Sequence, residues 1–140
     1  MLDMTTQEKQ AALISRYSII EDAQERLAAI VSRGRKWSAP ADAEKTDAHR
    51  VQGCVSQVWL VGAVESGRCR FRMAADSPLV QGLAALLCEM YDGEPVDEIV
   101  AVEPELFEAL GLARQLSPTR LNGLASLRRA IREFAAAHCP

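Results

Sequence analysis

Between Leu79 and Met90 the chain is apolar nearly all the way round. Leu79, Val80, Leu83, Leu86, Leu87 and Met90 recur at spacings of three and four, the period of an α-helix. Ala84, Ala85 and Cys88 make the opposite side apolar too, so this helix belongs at the buried centre of the molecule. Ser77-Pro78 supplies an N-cap and a proline at the first helical position, and Gly93 closes the segment. The wholly apolar run from Leu83 to Cys88 is far too short to span a bilayer. The rest of the chain must therefore wrap this helix.

The segment before it has a different period. Arg50 to Gln52 is expected as a short first strand and Val55 to Val64 as a second. Glu65-Ser66-Gly67 is a hairpin turn, and Arg68 to Ala75 a third strand. In the third, Cys69, Phe71 and Met73 alternate with Arg68, Arg70 and Arg72. Period two puts the apolar groups on one face and the arginines on the other. Cys69 is then a core residue. The arginine row is either a solvated outer face or a docking patch for an acidic partner.

Helices flank the strands. Thr5-x-x-Glu8 is a capping box that opens a first helix carrying Leu13, Ile14, Tyr17 and Ile20. Asp22-x-x-Glu25 opens a second, with Leu27, Ile30 and Val31 inward and Gly34 as its stop. Trp37 to Arg50 lacks periodicity and reads as a loop. After Gly93 come a turn or two of helix over Pro95 to Val100, a short helix from Pro104 to Leu110 ended by Gly111, and a last helix capped by Ser117-Pro118. That helix shows Leu121, Leu124, Leu127, Ile131 and Phe134 on one face. Strands grouped together and helices grouped around them define an α+β fold: a small antiparallel three-stranded sheet packed against helices, in a single domain over residues 1–140.

A length of 140 residues allows a real core, and 49% apolar with 25% charged residues is the composition of a soluble globular protein. A net charge of −3 argues against nucleic acid as a partner, because phosphate binding needs concentrated positive charge. Met1-Leu2-Asp3-Met4 has neither the basic nor the apolar region of a leader, so the chain is expected in the cytoplasm, away from any membrane. Thiols stay reduced there, so disulfides among Cys54, Cys69, Cys88 and Cys139 are not expected. No two of these cysteines stand in a CxxC pair, and with His49 and His138 as the available histidines a zinc site is not expected.

Cys54 stands at the entrance to the strands, just after Gly53, where a turn with positive φ would suit glycine. It is either a thiol at the tip of a loop or simply a small buried hydrophobe. Gln52-Gly53-Cys54-x-Ser56-Gln57-Val58-Trp59 resembles the signature of the SufE family, sulfur acceptors that work with cysteine desulfurases. Two later blocks are similar to segments of that family and stand in its order: Asp76-Ser77-Pro78-Leu79-Val80-Gln81-Gly82-Leu83 and Leu116-Ser117-Pro118-Thr119-Arg120-Leu121-Asn122-Gly123-Leu124. The resemblance runs from about Asp22 to the C-terminus and leaves the N-terminal helix, within residues 1–21, outside it. Asp47-Ala48-His49-Arg50 departs from the family, which commonly has an asparagine shortly before the Gly-Cys pair.

The resemblance implies an α+β fold of the kind shared with cluster scaffolds, and a carrier with no cofactor of its own. Cys54 would take sulfur from a persulfide on a pyridoxal-phosphate-dependent, SufS-like desulfurase and pass it to a SufBCD-like iron–sulfur scaffold. Arg120 would stabilise the anion or the docked loop, or else simply begin its helix. Gln52, Gly53, Ser56 and Gln57 would shape the loop. His49 either polarises the thiol or is a solvated loop histidine. A carrier gains from hiding its persulfide, so Cys54 is expected tucked against apolar side chains in the free protein and swung outward in a complex. Three rivals remain: a binding module that regulates a partner without carrying sulfur, a scaffold that itself assembles a cluster, and a thiol peroxidase.

Overall fold

The computed structural model describes residues 4–139. Residues 1–3 and 140, on which the leader reading and the ends of the single-domain expectation rest, lie outside them. The first helix, α1 (Thr6–Ser18), opens on the expected capping box: Glu8 N donates to Thr5 Oγ1 at 3.1 Å and Thr5 N to Glu8 Oε1 at 2.9 Å. Its inner face holds Leu13 and Tyr17, but also Thr6 and Gln10. Thr6 Oγ1 donates to Glu94, and Lys9 pairs with the same carboxylate at 2.7 Å. Gln10 Oε1 accepts from Leu106 N at 3.0 Å. Polar groups therefore help to anchor α1 beside the apolar ones, each satisfied as burial requires.

Asp22 caps α2 (Ala23–Gly34) by accepting from Gln24 N and Glu25 N, both at 2.9 Å. Gly34 ends the helix as expected, but not in the left-handed conformation, since its φ is not positive and Arg35 after it is right-handed. Its reason lies across the interface. A Cβ on Gly34 would strike Gly82 Cα in α3 (Pro78–Tyr91), and a Cβ on Gly82 would come within 2.6 Å of Val31 Cα. The two backbones touch where these glycines meet. Helix α3 is buried from Gly82 to Tyr91 but for half-buried Glu89, as its all-round apolar pattern demands, and Ser77 accepts from Val80 N at its start.

The sheet has two strands, not three. β1 (Val58–Glu65) and β2 (Arg68–Ala75) pair antiparallel from Val58↔Ala75 to Glu65↔Arg68. Ser66 and Gly67 join them at φ 52° and 77°, the signs a two-residue hairpin with right-handed twist needs. Residues 50–52 add a single bridge, Arg50 to Trp59, because the chain turns away directly after Val51. Cys69, Phe71 and Met73 are buried as alternation foretold. The outer edge of β2 is closed by groups from elsewhere: Cys69 N donates to Glu94 O at 3.0 Å, Phe71 N to Asp92 Oδ1 at 2.8 Å and Met73 N to Ser38 O at 3.0 Å.

The loop from Trp37 to Arg50 contains two single 3₁₀ turns, Asp42–Glu44 and Asp47–His49. Three short helices follow α3: α4 (Val96–Ala101), α5 (Leu106–Ala109) and α6 (Leu112–Gln115). The long α7 (Pro118–Ala137), capped by Ser117, lays Leu124, Leu127, Ile131 and Ala135 into one core shared with α3 and the sheet. The architecture is α+β, helices packed around a two-stranded antiparallel ribbon.

Candidate functional site

Two backbone bonds hold the ends of the loop that carries Cys54. Val51 N donates to Val58 O at 2.8 Å and Asp76 N to Gln57 O at 3.1 Å. Between them the chain reverses at Gly53, whose φ is 88°. An L side chain in that region costs roughly 1–2 kcal/mol. Space is tight as well, because a Cβ on Gly53 would stand 2.6 Å from Ser126 Oγ of α7, which would have to move.

The turn aims Cys54 inward. The thiol donates to Gly123 O of α7 at 3.2 Å, and the residue is half-buried. Below it lies a cavity of about 180 Å³ with walls from Val58, Val80, Leu83 and Leu124 and polar members Ser56, Ser117, Thr119 and Arg120. Val55, the next residue, is 81% exposed, an apolar group held in water beside the thiol. Burial pushes the Cys54 thiol pKa up, and the Arg50 guanidinium offsets part of that. The resting group is thus a protonated donor to a carbonyl rather than a free thiolate.

The loop-shaping residues divide. Gln52 is exposed, with its side-chain amide 3.4 Å from Arg50 O, and Ser56 lines the cavity. Gln57 serves through its carbonyl. Arg120 shares the cavity with Cys54, yet its guanidinium makes no hydrogen bond to the sulfur. His49 is engaged through Nδ1 with Glu44 O at 3.0 Å, and the charge that acts on Cys54 belongs to Arg50. Ser126 and the Gly123 carbonyl escaped the sequence reading. Gly123 lay inside a recognised block, but nothing in the sequence told that its oxygen meets a thiol 69 positions away.

The other thiols differ from Cys54. Cys69 and Cys88 are fully buried and Cys139 is exposed. The arginine row of β2 is engaged within the chain: Arg68 donates to Gly93 O at 3.0 Å, Arg70 pairs with Asp92 at 3.1 Å, and Arg72 forks onto Glu44, with its Nη2 at 2.8 Å. Among the described residues no three His, Cys, Asp or Glu side chains converge as metal ligands would, and no helix is long and apolar enough to cross a membrane.

Comparison with known proteins agrees with this architecture. Residues 11–135 match the model of the Fe-S metabolism associated domain, which places the chain among proteins of iron–sulfur metabolism. An uncharacterised SufE-like protein of Rhizobium etli is 34% identical over 128 residues, covering 88% of this chain and 86% of its own. One of Synechocystis is 33% identical over 127 residues, covering 91% and 80%. The fold recurs in the solution structure of a hypothetical protein from Thermus thermophilus, with a TM-score of 0.77 over 92% of this chain and 94% of that one, at 21% identity. The chain belongs to the SufE family.

Proposed function

We propose that this protein accepts sulfur on Cys54 from the persulfide of a SufS-like cysteine desulfurase, stimulating that enzyme, and delivers it to a SufBCD-like iron–sulfur scaffold. The observation that supports this most is the position of Cys54: a half-buried thiol over an apolar cavity, on a loop pivoting at Gly53. In the transfer, the Cys54 thiolate attacks the terminal sulfur of the donor persulfide. A new S–S bond forms at Cys54, the donor's S–S bond breaks, and the donor cysteine leaves as a thiolate. The thiol and the persulfide exchange without net oxidation.

The thiolate is the nucleophile, while the resting Cys54 is a protonated thiol bonded to Gly123 O. Docking must therefore break that bond and expose the sulfur, and the backbone freedom of Gly53 lets the loop do so without moving α7. Once loaded, the persulfide can fold back over the apolar cavity, away from stray thiols. Arg120, in the wall of that cavity, stands where a guanidinium could meet an anion.

The test is intact mass after incubation with a pyridoxal-phosphate cysteine desulfurase and free cysteine, localised by peptide mapping. One added sulfur on the peptide containing Cys54, absent in Cys54→Ser, is the expected result. Desulfurase stimulation that survives Cys54→Ser would instead make the protein a regulator that carries no sulfur.

A further inference from the structure

A second concavity borders the entry to the Cys54 loop and shares no lining residue with the thiol cavity. This groove, about 580 Å³, runs between the loop entry and α7. Leu60 and Phe134 give it an apolar floor, and Arg50, His49 and Arg129 stand along it with Glu133 as its sole carboxylate among the described residues. Ser126, whose hydroxyl sits against Gly53, lines it too. Groove and loop thus share a wall.

Its arginines contrast with most others in the chain. Arg16 and Arg33 share Glu89, Arg70 holds Asp92, Arg72 holds Glu44 and Arg128 holds Glu103. The guanidinium groups of Arg50 and Arg129 make no ion pair or hydrogen bond among the described residues. Arg35, Arg114 and Arg120 likewise have no side-chain partner among the described residues, but Arg35 and Arg114 stand on exposed surface and Arg120 lines the thiol cavity instead. In a chain of net charge −3, a groove with two unpaired arginines against one carboxylate, beside the one loop expected to meet a donor, is a local inversion of sign.

We propose that this groove receives an acidic segment of the sulfur-donating enzyme, its carboxylates on Arg50 and Arg129 and an apolar side chain on Leu60 and Phe134. The proposal rests on the carrier reading of Cys54, which it supplies with a docking site. Opposite charge would steer the donor to the loop and fix its register, effects that fall with salt. Arg50 has a further consequence. It is the charge that favours the Cys54 thiolate, so it links the docking groove to the nucleophile.

The test measures the affinity of the full-length protein for a pyridoxal-phosphate cysteine desulfurase from the same organism, at low and at moderate salt. The chains compared are the native one, R50Q/R129Q, R50E/R129E and, as a control, R35E/R114E. Thermal unfolding and sulfur loading at saturating donor accompany each. Because neither groove arginine has a side-chain partner among the described residues, the variants should melt with the native protein. The expected result is affinity lowered by about tenfold or more for R50E/R129E at low salt, with a flatter salt dependence, and little change for R35E/R114E. Native affinity in R50E/R129E with Cys54 still loading would overturn the groove and leave the carrier reading intact. Weakened affinity in a system where native Cys54 never loads would do the reverse, keeping the docking groove and removing the carrier. Equal weakening by R35E/R114E would also overturn the proposal, because overall charge rather than the groove would then set the affinity.

Discussion

Gly53 shows how much one residue can carry. A positive φ could be guessed from a glycine before the thiol, but the contact with Ser126 could not, because it depends on where α7 comes to lie. Gly53→Ala meets both obstacles. We expect it to lower stability by about 1–3 kcal/mol in denaturant unfolding, and to speed alkylation of Cys54 as the displaced loop releases the thiol from Gly123. In the native protein, burial raises the pKa of that thiol. Its alkylation at neutral pH should be slower than in an unfolded control, with the pH profile displaced upward, and Arg50→Gln should displace it further. A native rate equal to the unfolded control would mean that the thiol is not held inward. Arg50 was visible in the sequence as part of a departure from the family, whereas its electrostatic reach became visible only in three dimensions.

At the scale of elements, helices were the most legible. Thr5, Asp22, Ser77 and Ser117 all cap where their spacing to the apolar pattern said they would. Strands were less so. The alternating pattern extends back to Val55, yet β1 begins at Val58, because the chain from Gly53 to Gln57 is still reversing and cannot face a partner. The short first strand expected at Arg50 to Gln52 failed for the same reason, since one bridge at Arg50 is all the turn leaves room for. Gly34 ends its helix as expected, and it is also one half of a backbone contact with Gly82 that the sequence did not reveal. Gly82→Ala should therefore cost about 1–3 kcal/mol by overpacking, with an unchanged m-value in urea. A neutral effect would show that α2 and α3 can slide apart cheaply.

For the molecule as a whole, pH dependence at the alkaline end is set by groups that stay neutral inside. Cys88, fully buried, has its thiol pushed far above an ordinary 9.0, mainly by burial. Burial likewise raises Tyr91 above an ordinary 10.0, with Arg128 over its ring pulling the other way and Glu103 adding to the rise. In both, the folded chain keeps a proton that the unfolded chain releases. Their stabilising contribution is thus complete below about pH 9 and is lost as pH rises beyond it. Chemical denaturation repeated from pH 8 to strongly alkaline solution should show the midpoint falling, and Cys88→Ala should reduce the slope of that fall. At the acid end, Glu44 is lowered from an ordinary 4.5 to about 2, chiefly by its hydrogen bonds with Arg72. Stability from that pair is present above 4.5 and lost as pH falls towards 2. Because Glu44 is at the surface, salt should blunt this effect.

The closed edge of β2 has a consequence for how the protein is made. Its outer amides are satisfied by Ser38, which is synthesised before the hairpin, and by Gln81, Asp92 and Glu94, which come after it. A two-stranded ribbon alone is marginal in water. While the chain is growing on the ribosome, the ribbon therefore stays open to unwanted pairing until Glu94 has cleared the exit tunnel and α3 can bring that strand its partners. Nascent chains arrested before that point should be protease-sensitive across residues 58–75, and those arrested well beyond it protected.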